Sequence, residues 1–294
     1  MNKITIYTNK KEYSFAIDKI KILYGYDYKT KYWLMRKIEQ YIEKKENTEY
    51  NNSITSQTSI LIDDNIFSST NAYFINVNPY FDLETDLKLG SKSLTLKYLE
   101  SKLKDIEYKD EFATILGLLE ALGDDYINDV NLLHDQTKII FDLSDFTLKK
   151  LIKLLEPKII KNDFDASVYD LSYYEMIKFQ IDLVKELSND SDKYIFINID
   201  VDIDSNLLNY IIETLTNDNI FCFILSNNKH TPLNIEKYLI LNNQFIDMAN
   251  EVDVYNNIIM NLPYHVDIPE LSKIFTDYIC GRRTIETVEL EKII

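Results

Sequence analysis

Apolar and polar positions form short runs over the first part of the chain and then change to a helical spacing. Apolar or alternating runs that are bounded by polar clusters predict five strands: 4–7, 13–17, 20–24, 60–62 and 73–77. The polar stretch 8–12 joins the first two strands as a hairpin. After the third strand, Leu34, Ile38 and Ile42 fall on one helix face. Their spacing predicts a helix over 32–45.

Helical spacing dominates from about residue 82 to 190. Within this stretch, Ser144 and Asp145 are suitable to cap a helix that ends before Pro157. Beyond it, apolar runs predict three more strands: 194–199, 220–225 and 238–241. The run 220–225 is almost continuously apolar, as in a parallel strand that is buried on both faces. Strands and helices in this order predict an α/β fold.

The switch in pattern predicts how the chain is divided. We expect residues 1–85 and 190–294 to form an α/β head domain, and residues 86–189 to form an inserted α-helical domain. A chain of 294 residues with 46% hydrophobic content is long enough for one large domain with an insertion, or for two domains. No linker rich in Pro, Gly or Ser separates the two parts.

Charge and composition restrict the location and the partners. The formal net charge is −16, which argues against a surface that is positive throughout but leaves room for a local basic path. No apolar run reaches the roughly 18 residues of a membrane span, and the polar start of the chain does not fit a signal peptide. Cys222 and Cys280 give neither a disulfide framework nor a zinc pattern. We expect a cytoplasmic protein that does not bind membranes.

The segment after the third strand has the layout of a phosphate-binding loop but lacks two of the residues that such a loop uses to bind phosphate and magnesium. Such loops read Gly, four residues, Gly, Lys and then Ser or Thr, between a strand and a helix. Gly25 and Lys31 stand at the matching positions. However, Thr30 replaces the second Gly, and Tyr32 replaces the hydroxyl residue that holds magnesium. The segment therefore indicates a P-loop NTPase-like head that does not hydrolyse nucleotides.

A second acidic position of NTPases is also present. Asp200 ends the strand 194–199, where a P-loop NTPase places the Asp that helps to hold magnesium. The next residue is Val201, where ATPases of the transporter and chromosome-maintenance type have a Glu that activates water. Asp202 and Asp204 continue an alternating acidic pattern. This pattern allows a calcium loop, but a strand end that leads into a helix cap is the interpretation we favour.

Lysines gather near the start of a predicted helix in the insertion. The candidates for contacts to DNA phosphates are Lys92, Lys97, Lys102 and Lys104. Lys29 and Lys31 are candidates for a second patch. The N–H groups at the start of the helix are further potential phosphate donors. The alternative is that these lysines only solvate a helix face.

Three carboxylates surround Gly123 between two predicted helices. Glu120, Asp124 and Asp125 are therefore our candidate metal ligands, since hard cations such as calcium prefer oxygen ligands. The alternative role of these residues is surface solvation.

In its order of segments, the chain resembles the long form of the type II-A CRISPR adaptation proteins that form DNA-binding rings. The resemblance covers roughly residues 4–260 and rests on order and spacing rather than on one motif. Its parts are the degenerate loop with its aromatic-rich helix (20–42), the segment from 73–77 to 92–104, the segment 139–157, the strand end 194–204, and 223–225 with the loop that follows.

The resemblance implies a P-loop NTPase-like head with an inserted α-helical domain, assembled as a homotetrameric ring. It implies that the ring binds double-stranded DNA ends without sequence preference, that the helical domain holds calcium, and that the protein has no catalytic residues. It further implies a role in CRISPR spacer acquisition, an antiviral defence, beside the integrase complex and the type II-A effector nuclease. The alternatives are an active ATPase of the transporter or chromosome-maintenance type with a divergent P-loop, and an adaptor that only bridges other proteins.

Overall fold

The chain folds into two compact units of α/β structure. The computed structural model describes residues 1–7, 11–44, 58–104, 108–122, 146–226, 232–242 and 244–294. The first unit comprises Met1–Phe81 and Tyr173–Ile294, and the second comprises Asp82–Ser172. No helix in the described part of the chain is long and apolar enough to cross a membrane.

The described residues form the following strands and helices. In chain order the strands are β1 (Asn2–Tyr7), β2 (Glu12–Ile17), β3 (Ile20–Tyr24), β4 (Ser59–Ile62), β5 (Asn65–Ile66), β6 (Ala72–Val77), β7 (Ile159–Lys161), β8 (Phe164–Ala166), β9 (Tyr194–Ile199), β10 (Ile220–Ser226), β11 (Tyr238–Leu241) and β12 (Phe245–Asp247). The α-helices are α1 (Tyr28–Ile42), α2 (Leu83–Leu87), α3 (Leu94–Lys102), α4 (Lys109–Leu122), α5 (Leu148–Ile152), α6 (Tyr173–Asp190), α7 (Ser205–Thr214), α8 (Glu251–Asn257), α9 (Ile268–Ile279) and α10 (Ile285–Ile293).

Two sheets build the first unit. The larger has the strand order β12-β11-β3-β10-β9-β6, in which every neighbouring pair is parallel except β11 and β12. The smaller is antiparallel, has the order β2-β1-β4-β5, and contains the predicted hairpin. Buried apolar residues of both sheets and of α1 form one core, in which the Phe15 and Phe223 rings meet edge to face at 6.0 Å.

A buried ion pair links the two sheets. Lys21 on β3 and Asp247 on β12 are 0% and 2% exposed, and the ammonium of Lys21 donates to the Asp247 carboxylate and to the carbonyl of Glu236. The same carboxylate accepts the backbone N–H of Ala16 on β2 at 2.7 Å. Because every charge here has partners, the pair fixes how β2 meets the larger sheet.

The unit boundaries lie at 81/82 and 172/173 rather than at 85/86 and 189/190. Helix α6 accounts for the larger difference. Its residues Ile177, Ile181 and Val184 are buried, and it packs on β6 and β9 of the first unit. Its apolar spacing predicts a helix correctly but carries no information about which sheet or helix it packs against.

The second unit is smaller and not purely helical. Helices α2, α3 and α5 surround a small core of Leu89, Leu96 and Ile152. A two-stranded hairpin, β7 and β8, turns at Asn162 and Asp163, which both have positive φ values, 52° and 66°. This hairpin was not predicted. The short apolar stretch 138–143, whose sequence is compatible with either a strand or a connector, lies outside the described residues.

Candidate functional site

The junction between β3 and α1 is a tight loop of three residues. Its first residue, Gly25, has a φ of +127°, a conformation that residues with a side chain rarely adopt. A Cβ atom at Gly25 would lie 2.3 Å from the carbonyl oxygen of Leu241. The glycine of the predicted phosphate-binding loop is thus required by close backbone packing against the end of β11.

Two of the three backbone N–H groups of this loop donate hydrogen bonds to residues at the end of β11. The N–H of Tyr26 donates to the Asn242 side-chain oxygen at 2.5 Å, and the N–H of Asp27 donates to the Leu241 carbonyl at 2.9 Å. The Asp27 carboxylate accepts the N–H of Thr30 at 3.0 Å and its hydroxyl at 2.5 Å. A protein carboxylate therefore occupies the first turn of α1, where a phosphate would bind.

Hydrogen bonding keeps the Asp27 carboxylate ionised. The hydroxyl of Thr30, and then its N–H, lower the pKa of Asp27 below the ordinary value of an aspartate. Thr30 stands where the second Gly of a working loop would be. Instead of opening the backbone for a phosphate, it binds the carboxylate that replaces one.

Lys31 does not face solvent. Its side chain is 1% exposed, and its ammonium donates to the carbonyls of Gly25 at 2.6 Å and Ser226 at 2.9 Å. Burial lowers the pKa of Lys31 to about 8, and the nearby Asp200 and Asp27 carboxylates partly oppose that shift. The prediction that Lys31 contacts DNA is wrong, because its ammonium is enclosed and bound to two backbone carbonyls.

Asp200 lies beside the loop at the same edge of the larger sheet. It follows β9, and β10 separates β9 from β3. A cleft of about 540 Å³ opens here, and Asp200, Tyr32 and Lys31 are among its lining residues. The phenol of Tyr32, 66% exposed, stands where a magnesium-binding hydroxyl would be.

The acidic run after β9 leads into a helix cap, as favoured from the sequence. The Asp204 carboxylate accepts the N–H of Leu207 at 2.7 Å, which caps α7, and the hydroxyl of Tyr174 at 2.8 Å. These hydrogen bonds, with that of Leu207 the largest cause, lower the pKa of Asp204. This carboxylate is therefore used in capping rather than in a calcium loop.

The other predicted DNA-binding lysines lie at the surface. Lys29 is exposed on α1 in the first unit. In the second unit, Lys92 and Lys104 flank α3 and are exposed, while Lys97 and Lys102 are half-buried on that helix. These four lysines are thus distributed along α3, from just before its first residue to just after its last.

The N-terminus of α3 is closed in the same way as that of α1. The Asp86 carboxylate, 7% exposed, accepts the N–H groups of Leu94 at 2.6 Å and Thr95 at 3.0 Å. The Ser93 hydroxyl oxygen accepts the N–H of Leu96 at 2.8 Å. The expectation that these N–H groups hold a phosphate is wrong, because they already donate hydrogen bonds to side chains of the protein.

Of the candidate metal ligands, only Glu120 lies within the described residues. It is exposed in the last turn of α4. Asp124 and Asp125 lie outside the described residues. Within the ranges that the structure describes, no group of three or more His, Cys, Asp or Glu side chains is arranged to hold a metal ion. Glu120 by itself is not a calcium site.

Sequence reasoning missed the residues that close both junctions. Asp27 has a local signal, because an Asp two or three residues before a helical stripe is a typical N-cap. Asn242 and Ser226 have no such local signal, because they lie some 200 residues from the loop in sequence. Only the arrangement of strands in the sheet places them next to it.

Comparison with known proteins identifies a shared fold. The structure is similar to that of Stu0660 of Streptococcus thermophilus, with a TM-score of 0.69 over 98% of this chain and 92% of that chain. The two sequences are 14% identical. No protein-family model matches the chain, and no curated protein sequence matches it.

Proposed function

We propose that this protein is a non-catalytic ring that binds double-stranded DNA ends without sequence preference and acts in CRISPR spacer acquisition. The observation that carries the non-catalytic part is the closed β3–α1 junction. Its Lys31 ammonium binds two backbone carbonyls, and the Asp27 carboxylate occupies the helix N-terminus. A P-loop NTPase needs the lysine ammonium and the N–H groups of the helix start for the phosphates of its nucleotide.

The head is proposed to be P-loop NTPase-like because of where the loop and Asp200 meet. Both lie at the carboxyl ends of parallel strands, with β10 between them. This is the edge at which open α/β sheets bind their ligands. The same observation favours the alternative, an ATPase with a divergent loop, since Gly25, Lys31 and Asp200 are all present there.

The DNA-binding part rests on the sequence resemblance to the ring-forming CRISPR adaptation proteins and on the surface lysines. Lys92, Lys97, Lys102 and Lys104 share one segment of the second unit, and Lys29 is exposed on the first. A ring that closes around a duplex makes contacts to phosphates rather than to bases. We expect the homotetramer to work beside the integrase complex and the effector nuclease.

A mobility-shift assay with matched duplexes tests DNA-end binding. We expect linear duplex to bind and a covalently closed circle of the same sequence not to bind, because only the linear form can thread a closed ring. Equal binding of the two, or binding of neither, would contradict the proposal.

Lysine variants sharpen the same assay. Lys92→Ala combined with Lys104→Ala is expected to weaken binding of linear duplex and to reduce the slope of log K against log salt by about 2 for each subunit whose lysines contact phosphates, because each lost phosphate contact removes about one released counterion. Lys273→Ala, an exposed lysine of α9, is the matched control and should leave the slope unchanged.

Calcium is proposed on the resemblance and on Glu120, Asp124 and Asp125. Flexible oxygen ligands in the helical unit would hold it and reduce repulsion between an acidic protein and phosphate. Molar mass and mobility shifts are measured in EDTA, calcium and magnesium. We expect chelation to weaken both the tetramer and DNA binding, and calcium to restore them better than magnesium; identical results in all three would refute the calcium site.

A further inference from the structure

The cleft at the carboxyl edge of the larger sheet has a shape that suits a ligand. Its volume is about 540 Å³, within the range of small-molecule and side-chain pockets. It lies beside the carboxyl ends of β9 and β10, and helix α1, which follows β3, forms its other side. Open α/β sheets bind their ligands at this edge.

One wall of the cleft is an aromatic face of α1. Tyr28 and Tyr32 lie one helical turn apart and are 58% and 66% exposed. Met35 continues the face one turn further and is buried. Val201 and Leu225 line the cleft from the ends of β9 and β10, so that apolar surface lies beside the two rings.

The charges along the cleft favour a cation over a phosphate. Asp200 and Asp202 both line it. Lys31 is the cation among the described lining residues, but its ammonium is bound to the carbonyls of Gly25 and Ser226. The Lys31 nitrogen also lies 5.3 Å from the centre of the Tyr28 ring, so a cation already contacts one aromatic side chain of this wall.

We propose that this cleft binds the guanidinium group of an arginine side chain presented by a partner protein. A guanidinium is planar, stacks on aromatic rings and pairs with carboxylates through parallel hydrogen bonds. Tyr32 supplies the ring and Asp200 the carboxylate. The protein's net charge of −16 steers basic segments toward it. The edge at which an NTPase holds an anionic nucleotide is thereby converted into a cation site.

The proposal is tested by measuring the affinity of the protein for three probes at about 0.15 M salt. The probes are a short Gly/Ser peptide with three arginines, the same peptide with three lysines, and free arginine. We expect the arginine peptide to bind roughly tenfold or more tightly than the lysine peptide, because an ammonium cannot stack as a guanidinium does. Free arginine is expected to bind more weakly than the peptide.

Two variants and a matched pair of controls locate the site. Tyr32→Ala and Asp200→Asn are each expected to weaken arginine-peptide binding about tenfold. Glu251 and Tyr255 are an exposed carboxylate and ring one turn apart on α8, and neither lines the cleft. Glu251→Gln and Tyr255→Ala should therefore leave binding unchanged. Thermal unfolding of each variant shows that the fold is intact.

Several outcomes would overturn the proposal. Equal affinity for the arginine and lysine peptides, or equal losses in the α8 controls, would mean that the acidic surface attracts cations without a site. Binding that survives both Tyr32→Ala and Asp200→Asn would place the site elsewhere. If free arginine binds as tightly as the peptide, the ligand is a small guanidinium compound and the partner-protein part is wrong.

Discussion

Each unit contains a helix whose N-terminal N–H groups could bind a phosphate. At both helices an aspartate of the protein accepts these N–H groups instead. At the β3–α1 junction the carboxylate is the N-cap residue Asp27, and at the α2–α3 junction it is the buried Asp86. The junctions differ in their lysines. Lys31 is enclosed at the first, whereas Lys92 is exposed at the second.

The difference shows which phosphate contacts remain possible at each junction. At the first, the backbone donors and the cation are both engaged within the protein. At the second, the backbone donors of the helix N-terminus are engaged, but the Lys92 side chain remains at the surface. Contacts through flexible lysines are electrostatic and depend on salt, unlike the shaped cradle of a nucleotide site.

The glycines of the two junctions give the largest predicted contrast. Gly25→Ala places a Cβ atom 2.3 Å from the Leu241 oxygen, at a φ of +127°. We expect it to lower the free energy of unfolding by about 3 kcal/mol or more. At the second junction, a Cβ on Gly90 meets no atom within 4 Å. Gly90→Ala should therefore change the free energy of unfolding by less than about 1 kcal/mol.

Denaturant unfolding of both variants measures this contrast. Similar losses for Gly25→Ala and Gly90→Ala would show that the first junction is not held against β11 as described.

The two aspartates give the next largest effect. Asp86→Ala leaves the N–H groups of Leu94 and Thr95 buried without their acceptor, and we expect a loss of about 2–3 kcal/mol. Asp27→Ala removes an N-cap that is only half-buried, with an expected loss of about 1 kcal/mol. Urea unfolding ranks the two variants, and a larger loss for Asp27→Ala would contradict the difference in burial.

The enclosed Lys31 predicts a pH dependence in the opposite direction to that of a lysine whose pKa an ion pair raises. Its pKa falls from 10.5 to about 8 on folding. Between these values the unfolded chain holds the proton that the folded chain has released, so this group makes the free energy of unfolding rise with pH. At about 1.4 kcal/mol per pKa unit, the rise is on the order of 3 kcal/mol over that window.

Comparison with Lys31→Met isolates this contribution. The free energy of unfolding is measured for both proteins from pH 7.5 to 9.5, because buried tyrosines add their own effect at higher pH. We expect the parent to gain stability relative to the variant as pH rises. Parallel curves would mean that Lys31 keeps an ordinary pKa and is not enclosed.

Strand positions were the most predictable part of the fold. The predicted strands 194–199 and 238–241 match β9 and β11, and 220–225 matches β10 to within one residue. A short, nearly continuous apolar run is typical of a strand that is buried on both faces of a parallel sheet. The hairpin β7–β8 was missed because its strands have three residues each, although its Asn162-Asp163 turn is a recognisable signal.

The helix of the candidate site was predicted to start four residues late. Its start at Tyr28 follows from the Asp27 cap, which the alignment to a phosphate-binding pattern obscured. The same alignment led to the prediction that the Lys31 side chain contacts phosphates of DNA. Only the fold reveals that Ser226 and Asn242 approach the loop, because β10 and β11 flank β3 in space and not in sequence. Pattern therefore predicted the place of the site, and tertiary contacts decided its chemistry.

Calorimetric titration with ATP and magnesium tests most directly whether the β3–α1 junction is closed. The parent protein is expected to give no heat of binding, because the Lys31 ammonium and the first turn of α1 are already occupied. Micromolar binding that Lys31→Ala abolishes would contradict this account and would restore the ATPase alternative.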